Sequence, residues 1–274
     1  MTGVTVRRVG EHWGDEHWVD ERLIAVGSVK GGTGATSLAV GVAAGWPQPG
    51  AVLVETDPDG GDLAARYGHH PDPGLVSFAA AARSGGAADL LRAHAQQLRL
   101  GVDVVLAPPG DTAAAAVQAL AQGGTQMLRR AAGDAAVILD VGRVGHGGPG
   151  LSMAAMAGDL VLVVRPTLDE LIQVQARLGW LRETVGGRLW LALSGPGPYQ
   201  AAEVARDLGV EVVGELPRSD RSGAGVLAGR LVGRSWRKAR LPRAARSVAL
   251  RLAAARPRQV APPVFLGALA EVNR

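Results

Sequence analysis

The chain has 274 residues, of which 47% are hydrophobic and 20% charged, as expected for one large globular domain with a full core. It contains no Cys, which excludes a disulfide framework and a Cys-based metal site. No apolar run approaches the roughly 20 residues that span a bilayer. We therefore expect a cytoplasmic protein whose contact with a membrane is at most peripheral.

Residues 1–21 are predicted to form an appended arm that contains the triplet Glu-His-Trp twice. Its two His and two Trp suggest metal or partner binding, but without nearby carboxylate geometry they specify no site, and we prefer a flexible or edge-packing arm. Beyond the arm, strand-like apolar runs alternate with Ala-rich segments that favour helices. The predicted strands are 23–27, 51–55, 103–107, 136–140, 160–164, 188–193 and 210–213. This alternation predicts an α/β fold, a mostly parallel, doubly wound sheet flanked by helices.

The segment between the first predicted strand and helix reads Ser-Val-Lys-Gly-Gly-Thr-Gly-Ala-Thr-Ser from 28 to 37. Glycine-rich loops in this position direct backbone N–H groups at phosphates. The common form of the loop ends in a Lys that reaches the outer phosphates, but Ala35 stands there. Lys30 precedes the glycines instead, and Lys238 is the only other Lys among 29 basic residues. A plain glycine turn would explain the glycines, but not this isolated Lys.

The loop resembles that of the ParA/MinD superfamily of deviant Walker-A P-loop ATPases. In that family the early Lys acts across a dimer interface on the partner's nucleotide. The Gly-Ala-Thr ending resembles the CpaE/TadZ branch, proteins of Tad pilus and secretion assembly in which the second Lys is often replaced. Further blocks resemble the family in the same order, over about residues 22–256. These blocks are 52–64, 106–109, 137–140, 160–166 and 214–220.

The resemblance implies that the chain binds ATP or ADP with Mg²⁺. The implied nucleotide contacts are Lys30, Gly31, Gly32, Thr33, Gly34, Ala35, Thr36, Ser37, Pro217, Arg218 and Asp220. Thr36, Asp57 and Asp140 would hold the metal. Lys30, Asp57 and Asp140 would be the catalytic residues. Turn chemistry alone also explains an Asp before a Pro and an Asp at a strand end, so both interpretations of the two acids stay open.

Three departures from the family pattern bear on activity. Ala35 removes a cation, which costs about 1–3 kcal/mol of phosphate binding and more in the transition state. Glu55 replaces the first Asp of a D-x-D element, and Ser194-Gly195 replaces an Asn that faces adenine. The turn at 142–150 is glycine-rich and suits a switch segment that responds to the γ-phosphate, although an ordinary long loop would look the same. We therefore expect very slow or absent ATP hydrolysis.

Charge is segregated along the chain, because residues 221–258 carry eleven Lys or Arg and no Asp or Glu. Residues 241–255 are predicted to form a helix with one apolar side. That side comprises Leu241, Ala245, Val248, Ala249 and Leu252. We prefer a helix that packs this side on the sheet, with weak electrostatic contact of the basic region with DNA or anionic membrane as the alternative. Residues 257–274 are predicted to be a tail with a possible docking motif at Pro262-Pro263.

Two functions remain open. The first is a homodimeric, nucleotide-dependent localisation or assembly factor of CpaE/TadZ type. Its partners would be pilus or secretion proteins, and its place the cytoplasm, including the periphery of the inner membrane or a cell pole. The second is an active ParA/MinD-type ATPase that positions DNA or the division site. Ala35 separates them, because an active cycle needs fast hydrolysis.

Overall fold

The computed structural model describes residues 22–84, 89–218, 225–230, 233 and 235–255. The predicted arm at 1–21, the tail at 257–274 and the site residue Asp220 lie outside these ranges. The domain boundaries therefore stay predictions. No helix within the described ranges is long and apolar enough to cross a bilayer.

The described strands form one eight-stranded sheet in the order β3-β4-β2-β5-β1-β6-β7-β8. Its strands are β1 (Leu23–Ser28), β2 (Val52–Glu55), β3 (Gln96–Gln97), β4 (Asp103–Val105), β5 (Val137–Arg143), β6 (Asp159–Val164), β7 (Arg188–Ser194) and β8 (Glu211–Leu216). All neighbouring pairs are parallel except β3 and β4, which are antiparallel. The predicted fold class and all seven predicted strands are confirmed. The two-residue strand β3 was not predicted.

Helices follow the strands and cover both faces of the sheet. They are α1 (Ala35–Gly45), α2 (Leu63–Tyr67), α3 (Leu75–Ala82), α4 (Leu90–Ala93), α5 (Asp111–Gly123), α6 (Thr125–Asp134), α7 (Pro149–Ala155), α8 (Leu168–Gln175), α9 (Leu178–Thr184), α10 (Ala201–Leu208) and α11 (Arg240–Ala254). A short 3₁₀ helix, Trp236–Lys238, precedes α11.

The core consists of two apolar layers, one on each face of the sheet. Successive strand side chains point to opposite faces. Leu23 and Ala25 of β1 therefore join one layer, while Ile24 and Val26 join the other. The first layer packs against α3 and α5 to α10, and the second against α1, α2 and α11. This continuous burial is typical of a parallel sheet covered on both sides.

Helix α11 packs its apolar side against α1 and β8, which confirms the preferred interpretation of the last predicted helix. All five predicted apolar residues of that side are buried. The backbones of α1 and α11 approach closely, because a Cβ at Gly41 would lie 2.6 Å from the Cβ of Ala245. The helix that begins at the glycine loop and the basic helix are therefore in direct contact.

Parallel pairing brings the carboxyl ends of the strands to one edge of the sheet. Ser28 at the end of β1 lies opposite Arg143 at the end of β5 in the sheet. The Val144 N–H donates to the Ser28 carbonyl oxygen at 2.8 Å. Ligands in such sheets bind at this edge. The glycine loop after β1 and the glycine-rich segment after Asp140 are consequently neighbours.

Candidate functional site

The glycine loop connects β1 directly to α1 at the centre of the sheet edge. Gly32 and Gly34 have φ angles of 76° and 96°. Other residues adopt this left-handed conformation only at a cost of about 1–2 kcal/mol. Gly34 is the N-cap of α1, and no side chain caps the helix there. The loop therefore needs its glycines to turn into the helix.

The Thr33 hydroxyl lies buried within this loop without a hydrogen-bond partner in the described part of the chain. The residue is only 4% exposed. A buried hydroxyl without a partner costs about 1–3 kcal/mol, so native proteins rarely leave one unpaired. Thr33 is therefore a candidate contact for a ligand of the loop.

Thr36 and Asp140 meet at the base of the loop. The Thr36 hydroxyl lies within reach of the Asp140 carboxylate, which accepts the Gly142 N–H at 3.4 Å. Burial raises the pKa of Asp140 to about 7 even though the Thr36 hydroxyl opposes the rise, and the charges of Glu55 and Asp57 add to it. A carboxylate held this far from water gains from a cation beside it.

This pair fits Mg²⁺, which proteins usually bind through one or two carboxylates together with substrate phosphates. Within the described ranges, no group of three or more His, Asp or Glu could hold a metal by itself. A metal at Thr36 and Asp140 would therefore need oxygen ligands from a bound phosphate or from water.

Asp57 lies at the same edge, but one of its oxygens belongs to a turn. Its Oδ1 accepts the Asp59 N–H at 2.9 Å, which is the turn geometry that an Asp before a Pro favours. Burial raises the pKa of the Asp57 carboxyl, and the Asp59 N–H and the Arg143 charge oppose that rise. Its second oxygen accepts no hydrogen bond from the residues that the structure describes.

Glu55 has a structural role that the sequence did not reveal. It is 1% exposed, and its Oε1 accepts the N–H groups of Asp62 and Leu63, each at 2.9 Å. Its Oε2 accepts the Ala107 N–H at 2.9 Å. Burial raises the pKa of Glu55, and these three backbone contacts oppose the rise. The extra length of Glu relative to Asp thus serves to join the ends of β2 and β4.

Lys30 is exposed at the tip of the loop and contacts its own subunit. Its Nζ lies 3.4 Å from Oδ2 of Asp169 in α8, and both side chains are largely exposed. The Thr167 hydroxyl, and then Lys30, lower the pKa of Asp169. Exposed ion pairs contribute little to stability, so Lys30 can exchange this partner for another anion at little cost.

A cavity of about 400 Å³ opens beside the loop, a volume within the usual range for small-molecule sites. Gly32, Thr33, Gly34 and Ser37 line one side of it. Its other lining residues include Ser194, Gly195, Pro217 and Arg218. The structure therefore brings together the predicted phosphate loop and the described part of the predicted base-binding loop.

Two arginines contact the loop although sequence reasoning gave neither a role. Arg165, directly after β6, donates from Nη2 to the Gly32 oxygen at 2.8 Å and pairs through Nη1 with the buried Glu170 at 2.9 Å. At the end of β5, Nη2 of Arg143 lies 3.3 Å from the position of a Cβ at Gly31. The sequence could have indicated both residues, because each is an Arg at or directly after the carboxyl end of a predicted strand.

An open groove of about 1520 Å³ runs along the outer edge of β8, between α10 and α11. It adjoins the smaller cavity at Pro217 and Arg218. Its charged lining residues beyond Arg218 are Glu211, Glu215, Arg240, Arg243, Arg246 and Arg251. Part of the basic region therefore lines an exposed surface next to the candidate site.

Solved structures with the same fold include ParA and MinD ATPases. The ParA family ATPase from Chlorobium tepidum superposes with a TM-score of 0.69 at 19% identity, over 84% of this chain and 99% of that chain. The cell division ATPase MinD of Pyrococcus furiosus gives 0.65 at 19%, over 85% and 98%. MinD of Pyrococcus horikoshii, complexed with Mg-ADP, gives 0.64 at 18%, over 83% and 94%.

No protein-family model matches the sequence, and no curated protein matches it either. The likeness to solved structures is one of fold, and it confirms the architecture that the sequence resemblance implies.

Proposed function

We propose that this chain binds ATP or ADP with Mg²⁺ between the glycine loop and the segment 194–218. The Thr36 and Asp140 pair at the base of the loop carries the proposal, because a hydroxyl beside a buried carboxylate is a ligand pair that suits a phosphate-bound Mg²⁺. The unpaired Thr33 hydroxyl supports a phosphate ligand at the same place. One protein of the same fold, Pyrococcus horikoshii MinD, holds Mg-ADP.

Each part of the site would have its own task. Backbone N–H groups of the loop, together with the Thr33 hydroxyl, would bind phosphate oxygens. Thr36 and Asp140 would hold Mg²⁺, which offsets the negative charge of the phosphates and of the buried carboxylate. Gly195, Pro217 and Arg218 would enclose the base in the 400 Å³ cavity.

Hydrolysis would be slow because the loop lacks a cation at position 35. Ala35 is 8% exposed and uncharged, and it occupies the first position of α1. Fixed positive charge on the transferred phosphoryl group is a main source of catalysis in phosphoryl transfer. We therefore propose a nucleotide-dependent localisation or assembly factor of CpaE/TadZ type, for a pilus or secretion system, with bound nucleotide rather than turnover setting its associations.

A homodimer would form through the surface beside Lys30. Leu168 and Ile172 of α8 are 58% and 47% exposed and lie one helical turn apart, on either side of Asp169. Burial of this apolar pair against a second copy is favourable, since each buried aliphatic side chain contributes about 1.5–3 kcal/mol. A two-fold arrangement with facing clefts would let each Lys30 leave Asp169 for the phosphates of the partner subunit.

Calorimetry with ATP and Mg²⁺ tests the proposal on the wild type and on Ala35→Lys, alongside a hydrolysis assay. We expect weak binding and very slow turnover in the wild type, and tighter binding in the variant. Absence of binding in both forms would refute a nucleotide site. Hydrolysis by the wild type at the rate of the Lys variant would instead favour an active ATPase that positions DNA or the division site.

A further inference from the structure

Arg143 places a guanidinium group against the glycine loop from the neighbouring strand. Its Nη2 lies 3.3 Å, and its Cζ 4.0 Å, from the position of a Cβ at Gly31. The side chain is exposed, and it extends from β5, the strand that also carries Asp140. The cation therefore lies beside Gly31 of the loop, at the end of the strand that carries Asp140.

The Arg143 guanidinium acts on Asp57 only through its charge, whereas that of Arg165 is held by direct hydrogen bonds. Over the described ranges, no hydrogen bond or ion pair holds the side chain of Arg143. Arg165, by contrast, is fixed by the 1% exposed Glu170 and by the carbonyl oxygen of Gly32. Arg165 thus braces the loop, and Arg143 is free to take an anionic ligand.

We propose that Arg143 supplies, from β5, the cationic contact to the outer phosphates that Ala35 leaves out of the loop. The inference rests on the proposed nucleotide site. A guanidinium suits this task because its planar donors bind phosphate oxygens in pairs, and because it stays charged at all relevant pH values. Arg143 in this way replaces the binding contribution of the missing cation. Unlike a Lys of the loop, its side chain is not held in place beforehand, so turnover stays slow.

The contact of Arg143 with the nucleotide should depend on how many phosphates the nucleotide has. Arg143 begins the glycine-rich segment, in which His146 packs edge-on against Trp180 of α9 with ring centres 5.3 Å apart. An outer phosphate that holds Arg143 also holds the start of this segment. AMP has no outer phosphate for Arg143 to contact, so it would leave the segment without this contact. The position of the segment would therefore differ between the ATP-bound and the AMP-bound protein.

The test compares the affinities for ATP, ADP and AMP, each with Mg²⁺, in four proteins by calorimetry. They are the wild type, Arg143→Ala, Arg143→Lys and the control Arg99→Ala. Arg99 is exposed before β4, at the opposite edge of the sheet. For Arg143→Ala we expect a loss of about 10- to 100-fold for ATP, a smaller loss for ADP and none for AMP. Arg143→Lys should retain part of the affinity, and Arg99→Ala all of it.

Rescue by Ala35→Lys separates charge replacement from a merely structural role. In the Arg143→Ala background it should restore ATP affinity, and it should add less to the wild type, because the two cations serve the same phosphates. Because Trp180 packs against His146 of this segment, we expect ATP binding to change tryptophan emission. That change should disappear in Arg143→Ala and in Trp180→Phe.

Three results would overturn the inference. The first is ATP binding by Arg143→Ala at wild-type strength, and the second is an equal loss for ATP and AMP. The third is failure of Ala35→Lys to rescue. Each of them leaves the nucleotide site itself standing. A wild type that binds none of the three nucleotides would remove the proposed function, and this inference with it.

Discussion

The carboxyl group of Asp57 lies against the backbone of Gly142, in space that any Cβ at position 142 would need. Gly142 also has a φ of 60°. Gly142→Ala must therefore displace Asp57 and strain the backbone next to Asp140, and we expect a loss of about 1–3 kcal/mol in the free energy of unfolding. Denaturant unfolding measures it.

Gly145→Ala is the matched control in the same segment, because a Cβ there meets nothing within 4 Å and φ is ordinary. It should leave both the free energy of unfolding and ATP affinity near wild type. Equal behaviour of the two variants would contradict the close packing of Asp57 on Gly142.

Asp140 predicts how the stability of the nucleotide-free protein depends on pH. The pKa of its carboxyl is about 7 in the folded chain and near 3.8 when unfolded, so the folded state binds the proton more tightly. Its contribution is complete below about pH 4 and is lost as pH rises through about 7. The expected loss is on the order of a few kcal/mol, without Mg²⁺.

Unfolding at pH 5 and pH 8 in a chelator checks this dependence, with Asp140→Asn as the comparison. The variant should show a flatter profile, and Mg-ATP should stabilise the wild type more at pH 8 than at pH 5. An identical profile for variant and wild type would show that another group controls the dependence.

Lys30→Ala should weaken an ATP-promoted dimer and leave the fold intact, because Lys30 is exposed and its ion pair with Asp169 is a surface pair. Asp169→Ala is the control, since it frees Lys30 without removing it and should not weaken the dimer. Light scattering with saturating ATP measures both. A wild type that stays monomeric at high concentration would contradict the role given to Lys30.

The basic region should bind DNA or anionic vesicles weakly and in a salt-dependent way. Arg237 and Lys238, in the 3₁₀ helix, and Arg240, the first residue of α11, are exposed, while Arg234 lies outside the described residues. Replacement of all four with Ala should abolish the binding, whose logarithm should fall about linearly with the logarithm of salt.

Replacement of two exposed arginines elsewhere, Arg99 and Arg130, is the control and should have little effect. Gel shift and vesicle sedimentation at low salt measure the interaction. If neither ligand binds the wild type, the eleven basic residues at 221–258 only form a solvated surface.

The centre of the site was predictable because it depends on local order. A strand, a glycine loop and a helix follow one another within residues 23–45, and parallel pairing brings the end of β5 beside them. These two facts are enough to predict that Thr36 and Asp140 lie close together at the edge of the sheet.

Features that depend on distant contacts were not predictable. Glu55 accepts a hydrogen bond from Ala107, which is 52 residues away, and no local pattern reports such a meeting. Arg165 reaches Gly32 only because β6 lies beside β1 in the sheet. Strand β3 has two residues, too few to show alternation.

At Gly41 and Ala245 the backbones of α1 and α11 lie close together, with no large side chain between them. At this contact α11 cannot move closer to the sheet without moving α1, which begins at the glycine loop. Gly41→Leu would place a large side chain between the two helices. We expect this change to shift the glycine loop relative to the sheet, although position 41 lies about two helical turns from the loop.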